Sequence, residues 1–306
     1  MKCYYHNDAD GKCSARLVYL FAHNRSENIE DYVMVNYPDT VDVSKISEGE
    51  AVYIVDYSIP VEDMIKLREK TSNIFWIDHH KSAIEKYHEY LETHFIGGIR
   101  DTSVAASMLC WLFFNKWSVE QYHEQGMKKF MRIPDYVAYI ADYDAWHFEF
   151  GKDSLAFVAA FNSRIFDSPK ATDWDMLKHD PFSLNYVSEG YTILRHISKW
   201  SANYAKNGFY AEMNNYLVFA MNIANVNSTY FDSIVDPNVA FFVAFAYVNT
   251  PVGERCRVSV YQNQHYNGTA VDLSEIAKRH GGGGHPGAAG FVTFKHDFLE
   301  NIQYHE

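Results

Sequence analysis

Short apolar runs that break off at a carboxylate or an imidazole recur three times in the first eighty positions. Lys2-Cys3-Tyr4-Tyr5 runs into His6-Asn7-Asp8-Ala9-Asp10-Gly11, Ala51-Val52-Tyr53-Ile54-Val55 into Asp56, and Ile74-Phe75-Trp76-Ile77 into Asp78-His79-His80. Each reads as a buried strand whose carboxyl end delivers side chains into a crevice, where open α/β sheets place their sites. A fourth contribution comes from a helical pattern, Tyr136-Val137-Ala138-Tyr139-Ile140-Ala141, leading into Asp142-Tyr143-Asp144-Ala145-Trp146.

Between these runs the period changes from two to 3.6. Gly11 to His23 places Leu17, Val18, Leu20 and Phe21 on a helical face; Val61 to Glu69 is helical after Pro60; Ser103 to Phe114 is a well-patterned helix; Tyr32 to Tyr37 is strand-like. Alternating strands and helices predict an α/β fold, with an N-terminal, doubly wound, mostly parallel sheet. From about Leu155 the pattern is helical, ending in a long helix predicted over Ser188 to Glu212. Beyond it, Tyr216 to Asn222, Val239 to Val248 and Arg255 to Tyr261 read as strands and Leu273 to Arg279 as a helix. These elements predict a smaller C-terminal α/β domain. The expected organisation is a catalytic domain over 1–187, a connecting helix over 188–212 and a second domain over 213–306, with no internal repeat.

Composition narrows the class. A chain of 306 residues is long enough for two cores. No apolar stretch is long enough to span a membrane, and Met1-Lys2 leads straight into a strand, so neither a membrane nor a secretory route is expected. Cys3, Cys13, Cys110 and Cys256 show no Cys-x-x-Cys spacing, which disfavours a zinc ribbon or a disulfide scaffold and makes a reducing cytoplasm the simplest home. The 27 basic and 39 acidic residues give a net charge of −12, which disfavours a broad grip on long duplex nucleic acid. A short or small anionic substrate fits better, because two divalent cations would reverse the local sign of an acidic site.

The candidate site is therefore His6, Asp8, Asp10, Asp56, His79 and Asp142, with Asp78 and His80 beside it. Alone, Asp78-His79-His80 would read as a surface cluster or a helix cap; convergence with the other runs favours a metal centre. Asp144 reads as a helix-terminal solvent contact, and Tyr143 and Trp146 as candidates for base stacking. The second signal is Gly281-Gly282-Gly283-Gly284-His285-Pro286-Gly287-Ala288-Ala289-Gly290. Consecutive glycines leave amide groups able to approach an anion, and His285 can donate to a phosphate. The run matches neither a mononucleotide P-loop nor a dinucleotide fingerprint.

His6-x-Asp8-x-Asp10-Gly11, Asp56, Asp78-His79-His80, Asp142 and the terminal glycine-rich run, in that order, resemble the DHH phosphoesterase superfamily with a DHHA1-type C-terminal domain. Within it the chain is most similar to the oligoribonucleases that degrade nanoRNA. The resemblance implies two Mn²⁺ ions, with Mg²⁺ or Co²⁺ as substitutes. His6 and Asp8 would hold one ion, Asp10, His79 and Asp142 the other, and Asp56 would bridge them. His80 would stabilise phosphoryl oxygens or donate a proton, and Asp78 would orient a neighbouring imidazole. Substrate would be held by Gly282, Gly283, Gly284, His285 and Arg279; Arg255 and Arg257 are further phosphate binders, because Tyr261 stands where relatives often have an arginine.

The resemblance implies hydrolysis of short oligoribonucleotides to mononucleotides by two-metal activation of water. A cyclic-dinucleotide phosphodiesterase, an adenosine 3′,5′-bisphosphate phosphatase, a RecJ-like single-strand exonuclease and an inactive nucleotide-binding relative are the alternatives, and a homodimer is left open. Inorganic pyrophosphatases use similar N-terminal motifs, but their branch carries a different C-terminal domain.

Overall fold

In the computed structural model, residues 1–25, 31–36, 40–125, 133–164, 168–177, 180–250 and 253–304 are described. The chain forms two compact units, Met1–Ile193 and Leu194–Glu306.

The first unit begins with β1 (Lys2–His6), α1 (Ala9–Asn24), β2 (Asp31–Val35), β3 (Val52–Val55), α2 (Val61–Lys70) and β4 (Ile74–Ile77). The strands form one parallel sheet in the order β2-β1-β3-β4. Tyr37, the last residue of the predicted second strand, lies outside the described residues. Both sheet faces are covered. Tyr4, Ile54 and Trp76 pack with Met64 and Leu67 of α2. On the opposite face Tyr53 stacks on Phe75 at 4.8 Å, and both meet the phenylalanines of α5 (Ala106–Asn115). Covering both faces explains why β3 reads as a continuous apolar run and why the sheet is doubly wound.

Short helices α3 (Lys81–Lys86) and α4 (His88–Thr93) follow β4; α6 (Val119–Gln125), α7 (Asp135–Asp144), α8 (Lys152–Asn162) and α9 (Asp173–Met176) follow α5. Helix α1 packs on α5 and α7, bringing the end of α7 to the same edge as the carboxyl ends of β1, β3 and β4. The long helix α10 spans Asp180–Tyr204, and the division between the units falls within it.

The second unit comprises β5 (Phe209–Met213), β6 (Tyr216–Asn222), β7 (Phe241–Thr250), β8 (Gly253–Gln262), α11 (Leu273–Arg279), β9 (Gly283–Gly284), β10 (Ala288–Phe294), α12 (Lys295–Asn301) and β11 (Ile302–Tyr304). Its sheet runs β11-β5-β6-β7-β8-β10-β9, antiparallel except for the β6/β7 pair. The helix predicted to reach Glu212 stops at Tyr204, and its last residues become β5. There Ala211 and Met213 are buried in alternation against β6, a period-two burial that outweighs local helix propensity.

Candidate metal centre

Every polar side chain predicted for the centre from β1, β3 and β4 lies at the carboxyl edge of the parallel sheet. Asp8 caps α1: its Oδ1 accepts from the Gly11 amide at 2.8 Å, and its Oδ2 lies 2.7 Å from His6 Nδ1. The close return of α1 onto β1 requires glycine at position 11, because a Cβ there would lie 2.2 Å from the His6 carbonyl oxygen. Asp10, in the first turn of α1, reaches across to α5, where its carboxylate accepts from the amides of Ala106 (2.8 Å) and Ser107 (2.9 Å). It therefore caps one helix from the start of another.

Asp56 follows β3 in the left-handed region (φ 51°), a costly backbone state for a non-glycine residue that aspartate tolerates better than most. It is buried, and among the described residues neither of its carboxylate oxygens has a hydrogen-bond donor. His79 Nε2 lies 3.2 Å from Asp56 Oδ1, 3.5 Å from Asp10 Oδ2 and 3.2 Å from Asp144 Oδ2. His6 Nδ1 lies 3.8 Å from the other Asp56 oxygen. Two ligand groups result, His6/Asp8/Asp56 and Asp10/His79/Asp144, each with donor atoms within 4.8 Å of one another. Asp56 adjoins both.

Asp142 does not join this cluster, contrary to the expectation from sequence. Its buried carboxylate accepts from the amides of Glu149 (2.7 Å) and Phe150 (3.3 Å) and from the Ser154 hydroxyl, tying the loop after α7 back onto α8. Asp144, read from sequence as a solvent contact, is the residue facing His79, with its side chain only 22% exposed. Helical periodicity carried the missed signal. Val137, Ile140 and Ala141 form the buried stripe of α7, and position 144 continues it at a spacing of three, four and seven. Trp146 and Tyr143 each meet Phe148 edge to face, at 5.7 and 6.3 Å.

Asp78 and His80 form a supporting layer. Asp78 Oδ1 accepts from the His79 amide at 2.8 Å and lies 2.7 Å from His80 Nδ1, while Oδ2 accepts from the Ser58 hydroxyl. Ser58, absent from the sequence-based site, thus completes a Ser58-Asp78-His80 chain of buried polar contacts.

The electrostatics follow from confining so many carboxylates. Burial first, then the charges of Asp8, Asp10 and Asp144, pushes the Asp56 carboxyl well above its usual range. Burial, then the charges of Asp10 and Asp8, does so for Asp144. Asp10 is raised to about 6, by burial and then by Asp8. Burial would also raise Asp78, but the His80 and His79 rings and the Ser58 hydroxyl hold it below the ordinary range. For His6, burial acts downward and is outweighed by Asp8, Asp78 and Asp10, so its pKa is raised. Clustered carboxylates that repel one another, with buried oxygens lacking donors, are what a cation site needs.

The glycine run serves a different local purpose from the anion nest expected. Gly281 (φ 78°) and Gly282 close α11 in a Schellman motif, their amides donating to Lys278 O (3.0 Å) and Ala277 O (2.9 Å). Gly283 and Gly284 form β9 against β10. At Gly282 a Cβ would lie 2.1 Å from the Gly290 oxygen, so close backbone packing explains its lack of a side chain. The Gly282 amide is thereby spent on the helix end. The His285 amide donates to Ala288 O at 2.8 Å in a tight turn. Arg279 lines a cavity of about 470 Å³ between α11 and the β5–β6 turn, with Asn214, Asn215 and Glu275. Tyr261 donates its hydroxyl to Val226 O at 2.5 Å, a structural role.

No family model and no curated protein matches the sequence. Solved structures do. The DHH domain of a member of the s1p family of ribosomal proteins aligns over 98% of this chain and 84% of its own length, at TM-score 0.58 and 15% identity. A pGpG-specific phosphodiesterase from Vibrio cholerae aligns over 98% of this chain and 95% of its own, at TM-score 0.50 and 15% identity. An exonuclease RecJ bound to manganese aligns over 98% and 87%, at TM-score 0.47 and 10% identity. The chain therefore has the two-part α/β fold of DHH-domain proteins. Among the described residues, no helix is long and apolar enough to cross a membrane.

Proposed function

We propose that the chain is a metal-dependent phosphodiesterase of the DHH superfamily that hydrolyses short oligoribonucleotides to mononucleotides. The observation that carries this reading is the pair of carboxylate-imidazole groups, His6/Asp8/Asp56 and Asp10/His79/Asp144, with buried Asp56 lying 3.2 Å from His79 and, among the described residues, lacking a hydrogen-bond donor on either oxygen. The residues fit two hard divalent cations: His6, Asp8 and Asp56 would hold one, and Asp10, His79, Asp144 and Asp56 the other. Mn²⁺ suits a donor set of carboxylates with a minority of imidazoles, and Mg²⁺ or Co²⁺ would substitute. Bound there, such cations supply Lewis acidity toward water and phosphoryl oxygens. His80 is held by Asp78 through Nδ1 and would stabilise a phosphoryl oxygen; Ser58 fixes Asp78 in turn. The exposed half of Asp8 opens the centre to substrate.

The shared fold of a pGpG-specific enzyme supports including linear dinucleotides among the substrates to be tested. With Mn²⁺, the purified protein is expected to cleave RNA of two to five nucleotides faster than a twenty-nucleotide strand. Asp56→Ala is expected to lose turnover and stoichiometric Mn²⁺ binding together. Faster digestion of the long strand would replace this reading with a processive single-strand exonuclease; action on a cyclic dinucleotide or adenosine bisphosphate alone would select those substrates instead. Retained Mn²⁺-dependent turnover in Asp56→Ala would overturn the ligand assignment.

A further inference from the structure

The second half of α10 carries a feature that the metal centre does not use. His196, Trp200 and Tyr204 recur every four residues and therefore share one helix face. Their rings follow one another at centroid distances of 6.0 and 6.3 Å. Trp200 is 50% and Tyr204 43% exposed, large values for such rings, whereas Ser201 behind them is fully buried. Lys199 and Asn203, three residues on from His196 and Trp200, follow along one flank of that face by helical spacing. The 22 residues from Gly190 to Ala211 contain Arg195, Lys199 and Lys206 but no acid, in a chain where 39 of 306 residues are acidic. We infer that this face of α10 is a stacking platform for single-stranded nucleic acid, its rings taking bases and its lysines the phosphates.

Chemistry selects this occupant over a second copy of the chain. Self-association through this face would set two copies of an acid-free basic segment against each other, and Ile193 and Ile197, which continue the face, are only partly exposed. A strand of bases and phosphates complements both components. Base stacking on aromatic rings with a cationic flank also binds single strands with little sequence preference.

The test is fluorescence anisotropy of a labelled ten-nucleotide single-stranded RNA with the full chain in EDTA, which removes hydrolysis from the measurement. Trp200→Ala and Tyr204→Ala are each expected to weaken binding by about fivefold or more, Trp200→Phe to restore most of it, and Lys199→Glu to weaken it and flatten its salt dependence. Because Lys199 is exposed, its variant remains informative if the ring substitutions fail to fold. Unchanged affinity in all these variants overturns the inference, as does sedimentation showing a dimer that Trp200→Ala dissociates. Dinucleotide turnover with Mn²⁺ is read separately: if it is absent while RNA binding still depends on Trp200, the proposed activity fails and the platform stands.

Discussion

Asp142 and Asp144 sit two positions apart on one helix and have opposite duties. Asp142 organises backbone, because two amides and a hydroxyl converge on its buried carboxylate; Asp144 faces His79 with a buried oxygen that, among the described residues, accepts no hydrogen bond. Replacing them with asparagine should separate these duties. Asp142→Asn turns one accepting oxygen into a donor facing donors, and is expected to destabilise the protein by about 1–3 kcal/mol. Asp144→Asn relieves carboxylate repulsion, so the metal-free protein should melt at the same temperature or higher while Mn²⁺ affinity falls at least about tenfold. Thermal melts in EDTA and Mn²⁺ titrations check both. Loss of Mn²⁺ binding in Asp142→Asn without a change in melting temperature would reverse the assignment.

At the scale of elements, the centre depends on how tightly helices return onto strand ends. The turn from β1 into α1 places His6, Asp8 and Asp10 within one helical turn, and it closes only over Gly11. Gly11→Ala must displace the His6 backbone, an overpacking cost of about 1–3 kcal/mol. It is expected to lower Mn²⁺ stoichiometry from two toward one, because His6 belongs to only one ligand group. Metal analysis after gel filtration reads this directly, and two tightly held ions in the folded variant would exclude such a role for the turn. The glycine run makes the complementary point. Its four residues read as an anion loop, yet Gly281 and Gly282 terminate α11 and the next two pair with β10. A run of glycines leaves open where its amides are spent; the elements on either side settle that.

For the whole molecule, the concentrated acidity of the centre links stability to pH and metal. Asp10 is raised from 3.8 to about 6 in the folded chain. Between these values the folded state binds more protons than the unfolded one, so stability falls as pH rises through that window. Asp56 and Asp144, also raised, extend the fall to higher pH, and His6 adds to it because its stabilising charge is lost above its raised pKa. Asp78 acts in the opposite sense, but only below the ordinary carboxylate range. In EDTA the melting temperature is therefore expected to decrease from about pH 4 to pH 7. Added Mn²⁺ should stabilise more at pH 7 than at pH 5, because its ligands must lose protons. Melting curves at fixed ionic strength test this; an EDTA melting temperature that climbs across the window would show that carboxylate repulsion does not dominate the site.

The sequence by itself determined the alternating strands and helices, the parallel sheet and the polar residues that end β1, β3 and β4. These are local patterns of period and termination, and a strand that ends in a carboxylate presents it at the sheet edge in almost any packing. The fourth ligand position, the service of Ser58 to Asp78, the strained backbone of Asp56 and the structural use of the glycines were decided only by tertiary structure. Each depends on which donors from distant segments arrive beside a given atom. Asp142 and Asp144 are chemically identical, and only the packing of α7 against α1 and α5 turns one toward the backbone and the other toward His79.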